Sequence, residues 1–236
     1  MLAAFELMPP PASTATDRVY DGIYSAVLER RLVPGEWLRE TELAVSFEVS
    51  RTVVRQALQR LAQEQVIELI HNRGARVTLP EQADITHVFE ARRVAECEIA
   101  RRLGGRLSAE QLSLLQSLCD EETAANVAGD VAAAVRLSGE FHKAIARMHG
   151  NPVLERLLDS LLPTTSMLMS RFSVQGRPVC IVHRHVDLVA ALQRGGPIAA
   201  GEMKQHLGEL ERSLTTGGGP RLRSLRDVFG AYRGAV

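Results

Sequence analysis

The sequence predicts a mainly α-helical protein, with three helices and a β hairpin at its N-terminal end followed by an all-helical bundle. Apolar residues recur at spacings of three and four along most of the chain, the signature of helices with one buried face. The period turns extended chiefly at VIELI and ARVTL, which read as two short strands around an HNRG turn. Aromatic residues make up only 4% of 236, so the core must be built from Leu, Val, Ile and Ala, which favours packed helices over a large β sandwich. Hydrophobic residues at 45% and charged residues at 24% describe an ordinary globular chain and exclude a disordered one. The formal net charge is zero, so attraction to nucleic acid or membrane cannot come from bulk charge.

The elements follow in order. Residues 1–16 end in PPPASTAT and read as a mobile arm. Residues 17–31 carry a helical stripe at Val19, Ile23, Ala26, Val27 and Arg30, ended by the turn at Pro34-Gly35. ETELAVSF makes a second short helix with Leu43, Ala44 and Phe47 on one face. Ser50 is a good N-cap for a third helix over 51–64. The hairpin closes this unit at Pro80. Helices are then expected over about 82–103, 108–128, 130–149, 151–172, 178–194 and 196–214, separated by breaks rich in Gly, Ser, Asp and Pro. The expected organisation is an arm (1–16), a three-helix and hairpin unit (17–80), a helical domain (81–216) and a linker with a tail (217–236).

The third helix carries the first functional signal. Val54, Ala57, Leu58 and Leu61 form its inward stripe, and Arg51, Thr52, Arg55, Gln56 and Gln59 face the other way. A solvated polar face is the plain alternative. Against it, this helix is the second of two short, closely linked helices, an arrangement that sends its second helix into the major groove of DNA. Arginine forks match guanine edges and phosphates. The hairpin tip adds His71, Asn72 and Arg73 beside Gly74. Residues 17–80 hold equal numbers of arginine and acidic residues, so placement rather than total charge carries the argument.

These residues bring a family into view. PGE, ELA, VSRT, RQALQRL and NRGARV, all within residues 32–77, resemble together the winged helix-turn-helix of the GntR family of bacterial transcription regulators. The resemblance implies that Arg51, Thr52 and Arg55 contact DNA, with Thr41 on the preceding helix and Asn72, Arg73 and Gly74 at the wing. Val53, Gln56 and Glu48 depart from the family's usual Pro, Glu and Gly. Glu48 costs about 1 kcal/mol if the turn needs a left-handed residue there.

Of the seven histidines, His142, His185 and His206 fall on three different expected helices, and three imidazoles can hold a divalent ion if they converge. EARRVAE, EFHKAIARMHGNPVLERLL, RHVDLVAAL and AAGEMKQHL resemble the all-helical FCD ligand-binding domain of the FadR-like branch, over about residues 82–214. Many such domains bind a metal through one carboxylate and three histidines, and the matching histidines are these three. Ser138 stands where the family carries its Asp, which implies a weaker site completed by water or an anionic effector. The resemblance places Arg92 and Ser138 beside that effector, although Arg92 and Glu96, one turn apart, also fit a surface salt bridge. His149 and His183 match no ligand position.

The sequence therefore implies a cytoplasmic regulator of transcription, expected to repress. Its three cysteines (Cys97, Cys119, Cys180) include no C-x-x-C and fit reduced thiols. No apolar run reaches the about 20 residues of a membrane helix, and MLAAFELMPPP lacks the charged start of a signal peptide. The expected partners are a near-palindromic double-stranded operator, a second copy of the chain, and a small carboxylate effector at a divalent ion of the Zn, Ni, Mn or Fe class. Two alternatives stand beside this reading: a metal-free regulator that binds an acyl-thioester, and a three-histidine metal enzyme.

Overall fold

The computed structural model describes residues 14–71, 73–172 and 183–214. Thr14 caps helix α1 (Ala15–Leu28), its hydroxyl accepting from the Asp17 amide at 3.1 Å while Asp17 accepts from the Thr14 amide at 3.0 Å. This reciprocal cap starts the helix at Ala15, two residues before the start expected at 17 and inside the stretch read as a mobile arm. A strand absent from the sequence reading follows, β1 (Trp37–Leu38). Then come α2 (Glu40–Ser46), α3 (Arg51–Gln63), β2 (Ile67–Ile70) and β3 (Gly74–Val77). The sheet is antiparallel in the order β1-β3-β2, so the wing has three strands rather than the two of a simple hairpin.

Ser50 caps α3 as expected, accepting from the Val53 amide at 3.4 Å. Val54, Ala57, Leu58 and Leu61 are buried against Val19, Ile23 and Val27 of α1 and Leu43 of α2. The turn between α2 and α3 holds Glu48 at φ +54°, a left-handed conformation in which a Cβ is strained. Glu48→Gly is accordingly expected to raise stability by about 1 kcal/mol, read as a higher urea midpoint for the N-terminal unit.

The second domain is built from α4 (Gln82–Leu103), α5 (Ala109–Val127), α6 (Val131–His149), α7 (Pro152–Phe172), α8 (His183–Arg194) and α9 (Gly196–Arg212). The start expected for α8 at 178 and the tail at 217–236 lie outside the described residues. Helix α4 packs along α9 and α7, α5 packs on α6, and α8 packs on α9. At one end α4 meets the α8–α9 turn without room for side chains. A Cβ on Gly196 would stand 2.1 Å from the Arg101 carbonyl oxygen, and one on Gly104 would stand 2.4 Å from the Gly196 nitrogen. This close approach fixes the register of α4, which carries Arg92 and Glu96, against α8 and α9, which carry His185 and His206.

The two domains share packing. Leu162 and Met167 of α7 join the apolar core of the N-terminal unit, and the Tyr24 hydroxyl of α1 donates to the Asp159 carbonyl at 2.9 Å. Among the described residues no helix is long and apolar enough to cross a membrane.

Candidate nucleic-acid interface and metal centre

The outer face of α3 divides in two. Arg51, Thr52 and Arg55 are exposed at its N-terminal end, and Arg51 and Arg55, with Thr41, Arg73 and Gly74 but not Thr52, line an open groove of about 700 Å³. Asn72 lies outside the described residues. Gln56, expected on the same face, is instead tied back to α1, where it accepts from the Thr16 hydroxyl at 3.2 Å. One turn on, Arg60 binds Asp17 at 2.6 Å and lies over the Tyr20 ring. The free part of the helix is thus its first turn and a half, the part whose unbonded amides also favour phosphate.

An acidic group absent from the sequence reading sits between the arginines. Glu40, the first residue of α2, accepts from Arg55 Nε at 3.0 Å and from Arg55 Nη2 at 2.8 Å, and Arg51 Nη2 lies 3.5 Å away. Hydrogen bonds from Arg55 hold the Glu40 carboxyl below its ordinary pKa. The forked bond uses one edge of the Arg55 guanidinium and leaves the other open to a guanine or phosphate.

The three histidines converge. His142 on α6, His185 on α8 and His206 on α9 are all buried, and one ring nitrogen of each lies within 4.8 Å of the other two. His142 Nε2 is 3.3 Å from Nε2 of both His185 and His206. Two tetrahedral ligands at bond lengths of about 2.0–2.1 Å stand about 3.3 Å apart, so this spacing suits an ion such as Zn²⁺.

Buried carboxylates fix the ring orientation. Glu96 Oε2 on α4 lies 2.5 Å from His142 Nδ1, and Glu122 Oε2 on α5 lies 2.6 Å from His185 Nδ1. A carboxylate can only accept, so each Nδ1 carries the proton and each Nε2 turns its lone pair inward. Two such lone pairs facing each other at 3.3 Å repel unless a cation stands between them. Burial pushes the His142 pKa down more than Glu96 pushes it up, which keeps the imidazole neutral and able to ligate. His185 is held further by stacking on Phe141, with ring centres 4.3 Å apart. These residues fit a divalent ion.

Neither glutamate was recognised from sequence as a support, and Arg92 with Glu96 is not the surface salt bridge that their spacing also allowed. Both are 1% exposed, because they occupy the core register of α4 between Phe89 and Ile99. Glu96 Oε1 accepts from Arg92 Nε at 2.6 Å. Burial pushes the Glu96 carboxyl up, but the Arg92 guanidinium and His142 together outweigh it and hold its pKa at about 2. Glu122 carries the same signal: Leu115, Cys119 and Glu122 form one stripe at i, i+4 and i+7, an acid in a core position.

A cavity of about 40 Å³ adjoins His142, bounded by Arg92, Ser138, Gly139, Thr165 and Ser166 with apolar side chains beyond. Ser138 and Arg92 therefore face the same space. Arg92 Nη1 reaches Thr165 Oγ1 at 3.4 Å, while the buried Arg92 Nη2 has no partner among the described residues. Arg171 of α7 points away from this cavity and donates to the Pro80 carbonyl at 2.5 Å.

Comparison with known proteins places both halves. Residues 15–77 match the family described as bacterial regulatory proteins, gntR family, and residues 87–209 match the FCD domain. The transcriptional repressor RspR of Escherichia coli K12 is 25% identical over 206 residues, covering 86% of this chain and 90% of the relative. The galactonate operon transcriptional repressor of the same organism is 27% identical over 162 residues, 60% of this chain and 70% of the relative. Among solved structures, a GntR regulator from Rhodococcus sp. RHA1 superposes with a TM-score of 0.73 at 23% identity, covering 92% of this chain and 99% of that one.

Proposed function

Because the chain belongs to the GntR family of bacterial regulatory proteins and carries an FCD domain, it is a DNA-binding transcription regulator, and we propose that it is a dimeric repressor released by a small carboxylate bound beside a divalent metal. The observation that carries the metal is the convergence of three buried imidazoles, two of them held in the ligating tautomer by Glu96 and Glu122. His142, His185 and His206 would hold the ion. When bound, it supplies a Lewis-acidic centre for an anionic oxygen. Arg92, with its unpaired Nη2, would take the other oxygen of a carboxylate.

Charge supports this ligand class. One buried guanidinium and two buried carboxylates leave the centre with one excess negative charge, and a divalent ion reverses it to one positive charge. A single carboxylate then neutralises the site. The space beside His142 is small, about 40 Å³, which favours a small carboxylate over the bulk of an acyl-thioester. The name of the galactonate operon relative agrees with an organic acid. The family and its relatives are regulators and not enzymes.

A two-fold dimer in the cytoplasm would present two α3 helices to the half-sites of a near-palindromic operator, with Thr41, Arg51, Thr52 and Arg55 at the major groove and Asn72, Arg73 and Gly74 at the wing. An effector that weakens DNA binding must itself bind the DNA complex less tightly by the same factor. Metal analysis of untagged protein, purified without chelator, tests the proposal. About one divalent ion per chain is expected. Absence of a retained ion, together with no binding on titration with Zn²⁺, Ni²⁺, Mn²⁺ or Fe²⁺, overturns it. On the DNA side, Arg55→Ala is expected to weaken binding to a duplex obtained by in vitro selection by about 1–3 kcal/mol at fixed salt, measured by fluorescence anisotropy.

A further inference from the structure

We infer that Ser166 is the positioning residue through which occupancy of the effector cavity reaches the DNA-binding head. Helix α1 ends at Leu28, whose carbonyl is one of the last four that a helix cannot bond internally. Ser166 of α7 satisfies it: its hydroxyl donates to the Leu28 oxygen at 2.6 Å, and Ser166 is 3% exposed. The Leu28 side chain lies against Gly139 of α6, where a Cβ would come within 3.5 Å of it. Ser166 and Gly139 both line the cavity beside His142. The last residue of the head's first helix is therefore held by two residues whose other side faces the ligand space.

This inference rests on the reading of that cavity as the effector site and adds the route by which the site acts. At about 40 Å³ the cavity is small, so an effector seated in it lies against its walls, Ser166 and Gly139 among them. Arg92 and His142 are fixed by the Glu96 carboxylate, which bonds both. The wall at Ser166 and Gly139 has the head behind it. An acceptor on the effector can also turn the single Ser166 proton away from Leu28, leaving a buried carbonyl without its donor. Of the other links between the domains, the bond from Tyr24 to Asp159 and the ion pair of Arg136 with Glu29 involve no residue that lines this cavity, whereas Leu162 lines it and also packs in the apolar core of the head.

The test uses the full chain, with side chains in place of the unknown ligand. Ser166→Ala removes the bond, Ser166→Thr restores a hydroxyl, and Ser138→Leu fills the cavity. Val135→Met fills the same space should Ser138→Leu not fold. Amide hydrogen exchange over residues 24–32 and affinity for the selected duplex are read for each. Ser166→Ala and the filled variant are expected to raise exchange there and weaken duplex binding by about tenfold, with Ser166→Thr close to the parent. Parent-like behaviour of Ser166→Ala overturns the inference. So does faster exchange in Ser166→Ala without the same change on filling, since Leu28 would then be held but not reached from the cavity. No metal or effector is added, so failure here is distinct from failure of the metal proposal.

Discussion

Arg92→Ala is expected to destabilise the helical domain by about 3–5 kcal/mol, measured by urea unfolding. The guanidinium is 1% exposed and bonds Glu96 Oε1 at 2.6 Å, so its removal leaves a buried carboxylate supported only by His142 among the described residues. Breaking such a pair costs more than the pair contributes, because the survivor stays desolvated. The double substitution Arg92→Met with Glu96→Gln removes both charges while retaining volume, and it is expected to recover most of the loss. A double variant as unstable as Arg92→Ala would place the effect in packing rather than charge. Acid provides a second check. The Glu96 pKa is lowered from 4.5 to about 2, so its contribution is complete above the unfolded value and is lost as pH falls from 4.5 toward 2. In Arg92→Ala, which lacks the guanidinium charge that lowers it, the loss is expected to begin at higher pH.

The head was legible in the sequence because its signals are local. Ser50, the apolar stripe of α3 and the turn at Glu48 each lie within a few residues of what they control. Strand β1 was not, because two residues carry no periodicity and Trp37 and Leu38 become a strand only by pairing with Arg76 and Ala75. The three histidines were reached through resemblance, whereas their supports were not. Glu96 reads as a helix-surface partner of Arg92 until the core register of Phe89 and Ile99 on either side is weighed, and Glu122 reads as one acid of a DEE run. Glu40 lies 15 residues from Arg55, and Leu28 lies 138 residues from Ser166. Contacts at such distances are decided by packing, which no local window contains.

His142→Ala is expected to abolish divalent-ion binding, with a fall of more than about 100-fold in affinity by titration calorimetry. Its ring is the common member of the cluster, since its Nε2 is 3.3 Å from both other imidazoles, and its loss leaves only the two ligands His185 and His206, whose ring centres are 4.8 Å apart. Ser138 stands one turn earlier where a carboxylate would help, and a neutral hydroxyl cannot replace the missing ligand. Glu122→Gln provides the graded comparison. It leaves all three ligands but weakens the acceptor that fixes the His185 tautomer, and about 10–100-fold weaker binding is expected. A metal-independent structural role for the trio predicts no such order in ion affinity. Removing one ring would then leave a cavity and a stability loss without any change in ion uptake. Finding His142→Ala protein as rich in metal as the parent would move the ion away from these imidazoles altogether.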